Sequence, residues 1–186
     1  MQNKILIIIF IICNLIIVKA HSNDQISFDV SEIEILDNGN KIIGKDRGTI
    51  TTNDGILIEA DKFEYDKIKN ILKAQGNIKF KDKINKYNFF AENILYLKNI
   101  EKIEIIGKFE ASIDTNYKFK SENITILRNE MVISSDVGTT ILDDKNQTRY
   151  EIGKFSYSLK DEVVKSEKIF INTNYNQPFS DKYFFK

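Results

Sequence analysis

The sequence predicts an all-β protein, a stack of antiparallel strand repeats, and three observations predict it. The first is a refrain that returns along the chain as Ile58-Glu-Ala-Asp-Lys-Phe-Glu-Tyr65, Phe90-Ala-Glu-Asn-Ile-Leu-Tyr96, Lys120-Ser-Glu-Asn-Ile-Thr-Ile126 and Glu151-Ile-Gly-Lys-Phe-Ser-Tyr157. The second is a glycine inside an alternating run, at Gly76, Gly107 and Gly138, each 31 residues after the last. A fixed period of this size marks stacked supersecondary units with one continuous interior. The third is composition: Ile, Phe, Tyr, Val and Thr recur in short runs, and these residues suit a pleated, half-buried surface.

The chain opens differently. Lys4, the apolar stretch Ile5 to Val18 and the small-residue site Val18-Lys19-Ala20 have the anatomy of a secretory signal peptide. The stretch is too short for a comfortable transmembrane helix, which needs about 20 apolar residues. Residues 1–20 are therefore expected to be a leader helix, and residues 21–186 the repeat domain. Cys13 is the one cysteine and lies in the leader, so the exported chain carries no disulfide and rests on its core and its strand ladder.

Within the domain, Phe28 to Gly48 comes first and contains the turn Asp37-Asn-Gly-Asn40. Next, Ile56, Ile58 and Ala60 share one parity, but Phe63 and Tyr65 take the other. The same slip separates Ala91 from Ile94 and Tyr96, and Ser121 from Ile124 and Ile126. A slip repeated in register predicts a bulge or corner that bends each strand. Leu72, Ala74, Gly76, Ile78 and Phe80 then alternate with polar residues, as do Ile103, Ile105, Gly107, Phe109, Ala111 and Ile113. One face of each strand is apolar and the other wet. Turn chemistry separates the runs at Asn53-Asp-Gly55, 66–70, Lys98-Asn99, Arg128-Asn129 and 143–146. Between 131 and 142 the pattern predicts a local change of register, because Asp136 falls on the glycine's parity.

Several functions are disfavoured. Without Lys4 and Lys19 the chain has 25 basic and 27 acidic residues, and nucleic-acid binding wants a basic excess. His21 is the only histidine, so no His-based triad or proton shuttle forms. Metal-ligand spacings and phosphate-binding glycine loops are absent. Asp61, Glu64, Glu92 and Glu122 recur with the repeat, as a solvated edge does, rather than forming a single acid/base pair. The reading is a non-enzyme without cofactor or metal.

The pattern Glu59-Ala-Asp-x-Phe-x-Tyr-Asp66, a turn, then Leu72-x-Ala-x-Gly-Asn-Ile78 resembles the OstA-like repeat of the lipopolysaccharide transport family. That family includes the periplasmic bridge protein LptA and the N-terminal domain of the outer-membrane translocon LptD. The resemblance covers about residues 28 to 160, and Phe28 to Gly48 looks most like the start of an LptD N-terminal domain. A whole LptD would continue into a barrel where this chain stops at Lys186, so a split LptD and a free-standing LptA-like protein both fit. The resemblance implies an open, V-shaped β-jellyroll, located in the periplasm and associated with the outer membrane. Its apolar inner face would hold lipid A acyl chains of lipopolysaccharide. It further implies partners of the same fold joined by edge-strand addition, with Phe28 to Ile35 facing one and Phe170 to Tyr183 the other. On that basis the groove lining is Ile58, Ala60, Leu72, Ala74, Ile78, Phe80, Ile103, Ile105, Phe109 and Ile113. For any one of them, packing in a closed core fits the pattern equally well. A structural or adhesive β-solenoid without lipid, or an anchored LptC-like component, is the alternative.

Overall fold

A computed structural model describes residues 26–113, 116–173 and 182–185. The leader expected at residues 1–20 lies outside them. Among the described residues seventeen strands follow one another, all paired antiparallel in one sheet. The first six are β1 (Ile26–Asp29), β2 (Glu32–Leu36), β3 (Lys41–Lys45), β4 (Gly48–Thr52), β5 (Ile56–Ala60) and β6 (Lys62–Asp66). Four long strands come next: β7 (Ile71–Asp82), β8 (Tyr87–Leu97), β9 (Lys102–Ile113) and β10 (Tyr117–Leu127). Short strands close the series: β11 (Val132–Ser135), β12 (Thr139–Asp143), β13 (Thr148–Ile152), β14 (Phe155–Ser158), β15 (Val163–Ser166), β16 (Ile169–Thr173) and β17 (Lys182–Phe185).

The pairings divide this sheet into two arms. The first arm runs β1, β4, β5, residues 78–82 of β7, 87–91 of β8, 109–113 of β9, 117–120 of β10, then β12, β13, β16 and β17. The second runs β2, β3, β6, residues 71–75 of β7, 93–97 of β8, 102–106 of β9, 124–127 of β10, then β11, β14 and β15. Each long strand passes from one arm to the other through a bend, so the sheet folds along a line into a V. The result is an open β-jellyroll, the stack of antiparallel strands that the repeat predicts in the form that the family resemblance implies.

The bends fall where the parity slips. Asp61 separates β5 from β6, and its backbone N–H donates to the carbonyls of both Gln75 and Gly76, 3.1 Å away. Register shifts follow between Ala91 and Asn93 and between Glu122 and Ile124. Opposite each corner the neighbouring strand carries an extra residue, and Gly76 (φ +77°) and Gly107 (φ +85°) take the left-handed conformation there. This is bulge geometry, in which glycine adopts a backbone that side chains resist. Two of the recurring carboxylates, Asp61 and Glu92, lie against these glycines. A Cβ on Gly76 would stand 2.5 Å from Asp61 Oδ2 and 3.1 Å from Asp61 Cβ. Arg47 reaches Asp61 Oδ1 at 2.8 Å and the carbonyl of Asn77 at 3.2 Å across that corner.

Gly138 is different. It lies in the break between β11 and β12, its φ is not positive, and a Cβ would meet only the Ile152 carbonyl at 3.7 Å. The third unit thus crosses the bend as two short strands, which is the irregularity predicted for 131–142. Gly76→Ala is expected to lower the unfolding free energy by about 1–3 kcal/mol, the usual cost of a side chain held in such backbone. Gly138→Ala is expected to stay within about 0.5 kcal/mol of wild type. Urea midpoints of the two variants check the contrast.

Candidate functional site

Bending every strand in register keeps its apolar parity on the inside of the V, so the two arms face each other over one interior. That interior has two unlike halves. In the first half, from β3 to residue 109, the arms close on each other. Ile58, Ala60, Leu72, Ala74, Ile78, Phe80, Ile103, Ile105 and Phe109 are all buried, at 5% exposure or less. Phe80 stacks on Phe89 with ring centroids 4.5 Å apart, and Phe89 meets Phe109 at 5.2 Å. This aromatic row runs across the first arm toward the second half.

The free ends of the two arms meet around Arg128. It begins the turn after β10, at the tip of the second arm, and its side chain is 5% exposed. Its Nε donates to Asp82 Oδ2 at 2.9 Å, and its Nη2 to the Asp54 carbonyl at 3.2 Å. Asp82 ends β7, and Asp54 lies in the turn before β5, both at the tip of the first arm. Nη1 donates to the carboxylates of Asp54 and Glu101 and, at 3.0 Å, to the Tyr96 hydroxyl. That hydroxyl lies 3.1 Å from Asp54 Oδ2 and 2.9 Å from Glu101 Oε2, and donates its one proton to one of them at a time. The guanidinium carbon stands 5.9 Å from the centre of the Tyr96 ring, close enough for a cation–π contribution.

These charges hold one another in place. Burial opposes ionisation of Asp82, but hydrogen bonds from Asn85 and the Arg128 guanidinium outweigh it and keep the carboxyl below its usual range. Asp54 is also held low, with its desolvation offset by Thr52, Arg128 and Tyr96. Desolvation would lower the Arg128 pKa, yet the surrounding carboxylates raise it instead. For Tyr96 burial is the main cause of an upward shift. One guanidinium faces three carboxylates, and Asp82 also accepts from the backbone N–H groups of Ile84 and Asn85 and from the Asn85 side chain. Among the described residues no group of three or more His, Cys, Asp or Glu is placed to hold a metal ion.

Past this cluster the arms diverge. A cavity of about 340 Å³ opens between them, within the size range of small-molecule sites. The first arm contributes Tyr87, Phe89, Phe109, Ala111, Phe119 and Thr139, and the second Ile124, Ile133, Phe155, Tyr157 and Leu159. Polar groups sit at its rim, among them Asn85, Lys86 and Glu162. Many of its apolar walls are only half-buried, including Ala111, Phe119, Ile133 and Tyr157. At both ends of the stack strand edges are open among the described residues: β1 and β2 at one end, β15 and β17 at the other, each have a ladder partner on one side only.

Of the ten lining residues predicted from sequence, Phe109 alone borders this cavity. Eight others lie in the closed first half, and the side chain of Ile113 falls outside the described residues. Phe28 to Ile35 spans the edge strands β1 and β2, whereas Phe170 lies in β16, which is paired on both sides, and the edge strand β15 falls outside the stretch from Phe170 to Tyr183. Tyr183 falls in β17, of whose side chains nothing is described. Sequence reasoning missed the cavity's second-arm wall, although Phe155 and Tyr157 occupy the refrain positions of Phe63 and Tyr65. It missed Arg128 as well. The scarcity of arginine, three in the chain, was the available signal.

No family model and no curated protein matches the chain. Among solved structures it is similar to the crystal structure of LptH from Pseudomonas aeruginosa, described as the LptA-homologous periplasmic component of the conserved lipopolysaccharide transport device. The identity is 10%, the match covers 88% of this chain and 96% of that one, and the TM-score is 0.31. A likeness at that level leaves the function to the geometry of the site.

Proposed function

We propose that this protein is a non-catalytic carrier of lipid acyl chains, and that the cavity of its second half is where they sit. The observation that carries the reading is an apolar cavity between two arms that opens directly off a continuous buried core. Burying one methylene is worth about 0.8 kcal/mol, so an acyl chain of about a dozen carbons gains roughly 10 kcal/mol on leaving water. A lipid with several chains needs such a shelter to cross an aqueous space. The OstA-like pattern of Glu59 to Ile78 supports lipopolysaccharide as the cargo, and the leader pattern supports work in the periplasm beside the outer membrane. Open strand edges at both ends suit head-to-tail pairing with proteins of the same fold, because a free edge binds an added strand through its backbone.

The rival reading, a structural stack without lipid, draws on the closed first half, where eight predicted lining residues form a dry core. Phe119→Asp separates the two. It places a carboxylate on the cavity wall, and burying a polar group without a partner costs about 1–3 kcal/mol or more. Lipopolysaccharide binding is expected to weaken by roughly 5- to 100-fold, read by titration of the purified protein. Equal binding by the variant and the wild type, or none by either, would leave the stack reading in its place.

A further inference from the structure

The Arg128 cluster does something that neither the core nor the cavity explains: it ties the tips of the two arms together at one point. Its bonds cross the mouth of the V from residue 128 to residues 82 and 54, and Tyr96 adds a crossing to Asp54. Behind it the interior is shut, and ahead of it the arms stand apart around the cavity. Tyr87 marks the border. Its hydroxyl is buried and reaches no partner at hydrogen-bonding geometry, while its ring borders the cavity.

Holding a mouth shut does not require charge. Apolar side chains of similar volume close such a gap as well or better, because a buried ion cluster pays a desolvation penalty that packing does not. What a charge cluster offers instead is a discrete bond that is either made or broken. The arms it joins are linked along their other margin by bends at which Gly76 and Gly107 adopt left-handed backbone. The apolar parity is continuous through both halves, so separating the tips in the first half would uncover a surface of the same kind as the cavity wall.

We propose that Arg128 is a releasable clasp. When it is engaged the apolar path ends at Tyr87 and Phe89, and when it is released the arms part and the path extends toward β1 and β2. Ile58, Leu72, Ile78 and Phe80 then become groove lining, so the eight residues of the closed half serve as core in one state and as lipid surface in the other. The parting of the arms concerns the protein alone; its use by an acyl chain rests on the carrier reading.

The test measures the two separately. Spin labels on cysteines introduced at Asn53 and Lys69, exposed sites at the tips of the two arms, report the width of the mouth in a chain carrying Cys13→Ser. Labels at Lys145 and Lys160 report the second half. The wild type is expected to give one narrow distance at the first pair. Arg128→Met is expected to shift that pair to longer, broader distances and leave the second pair unchanged. Should Arg128→Met not fold, Asp54→Asn with Asp82→Asn removes the opposing charges while keeping side-chain shape, and the same shift is expected. An unchanged narrow distance in a folded variant overturns the clasp. Uptake of the apolar dye N-phenyl-1-naphthylamine reads the path: a rise in the opened variant supports its extension, and parted arms with no added uptake overturn that extension. Absence of dye uptake by the wild type tells against the carrier reading and leaves the distance result standing.

Discussion

Arg128→Ala is expected to destabilise the fold by about 3–5 kcal/mol, the usual cost of removing one partner from a buried ion cluster. The reason is in the partners left behind. Asp82 is buried to 0% side-chain exposure, and Asp54 and Glu101 are partly covered. All three would lose the guanidinium that pairs with them. Arg128→Lys is expected to recover only part of the loss, since a single ammonium cannot reproduce the bonds that Nε, Nη1 and Nη2 make to Asp82, Glu101, Tyr96 and Asp54. Exposed pairs give the comparison. Arg47 bonds Asp61 and Glu59 at the corner with a side chain 44% exposed, and Arg47→Ala is expected to cost no more than about 1 kcal/mol. Urea unfolding of the three variants checks the order. Equal small losses for Arg128→Ala and Arg47→Ala would mean that the cluster does not hold the arms.

Phe80→Ala is expected to cost a further about 3–5 kcal/mol, as large aromatic deletions in a close-packed core do. Phe80 is 1% exposed and stacks on Phe89, so its removal leaves a void in the buried core beside that ring. Phe119→Ala, on a half-buried wall of the cavity, is expected to cost much less, because that ring is already partly open to the cavity. The same experiment on the two phenylalanines therefore separates core from groove. Comparable losses at both sites would mean that the second half is as closed as the first.

How far the sequence could be read follows from what each feature depends on. The strands and their inner parity depend on neighbours two residues away, and Leu72, Ala74, Ile78 and Phe80 are all inward and buried as their alternation predicts. The bends depend on a local slip repeated at Ala60, Ala91 and Ser121, and the register shifts lie beside those residues. The cluster that joins the tips is made of Asp54, Asp82, Glu101 and Arg128, which lie up to 74 residues apart. Each of them sits in or beside a turn, where its local chemistry reads as turn and nothing more. Periodicity also cannot tell core from lining, because both place the same parity inside. Only the distance between the facing arms decides that.

The carrier account is tested most directly by mapping where lipid touches the chain. A photoreactive amino acid is placed in turn at Phe119, at Tyr157 and at the outward-facing Lys79, and the protein is irradiated in cells that make lipopolysaccharide. The account predicts adducts with lipopolysaccharide at Phe119 and Tyr157 and none at Lys79. Equal labelling at all three positions, or no adduct at either cavity position, would contradict it.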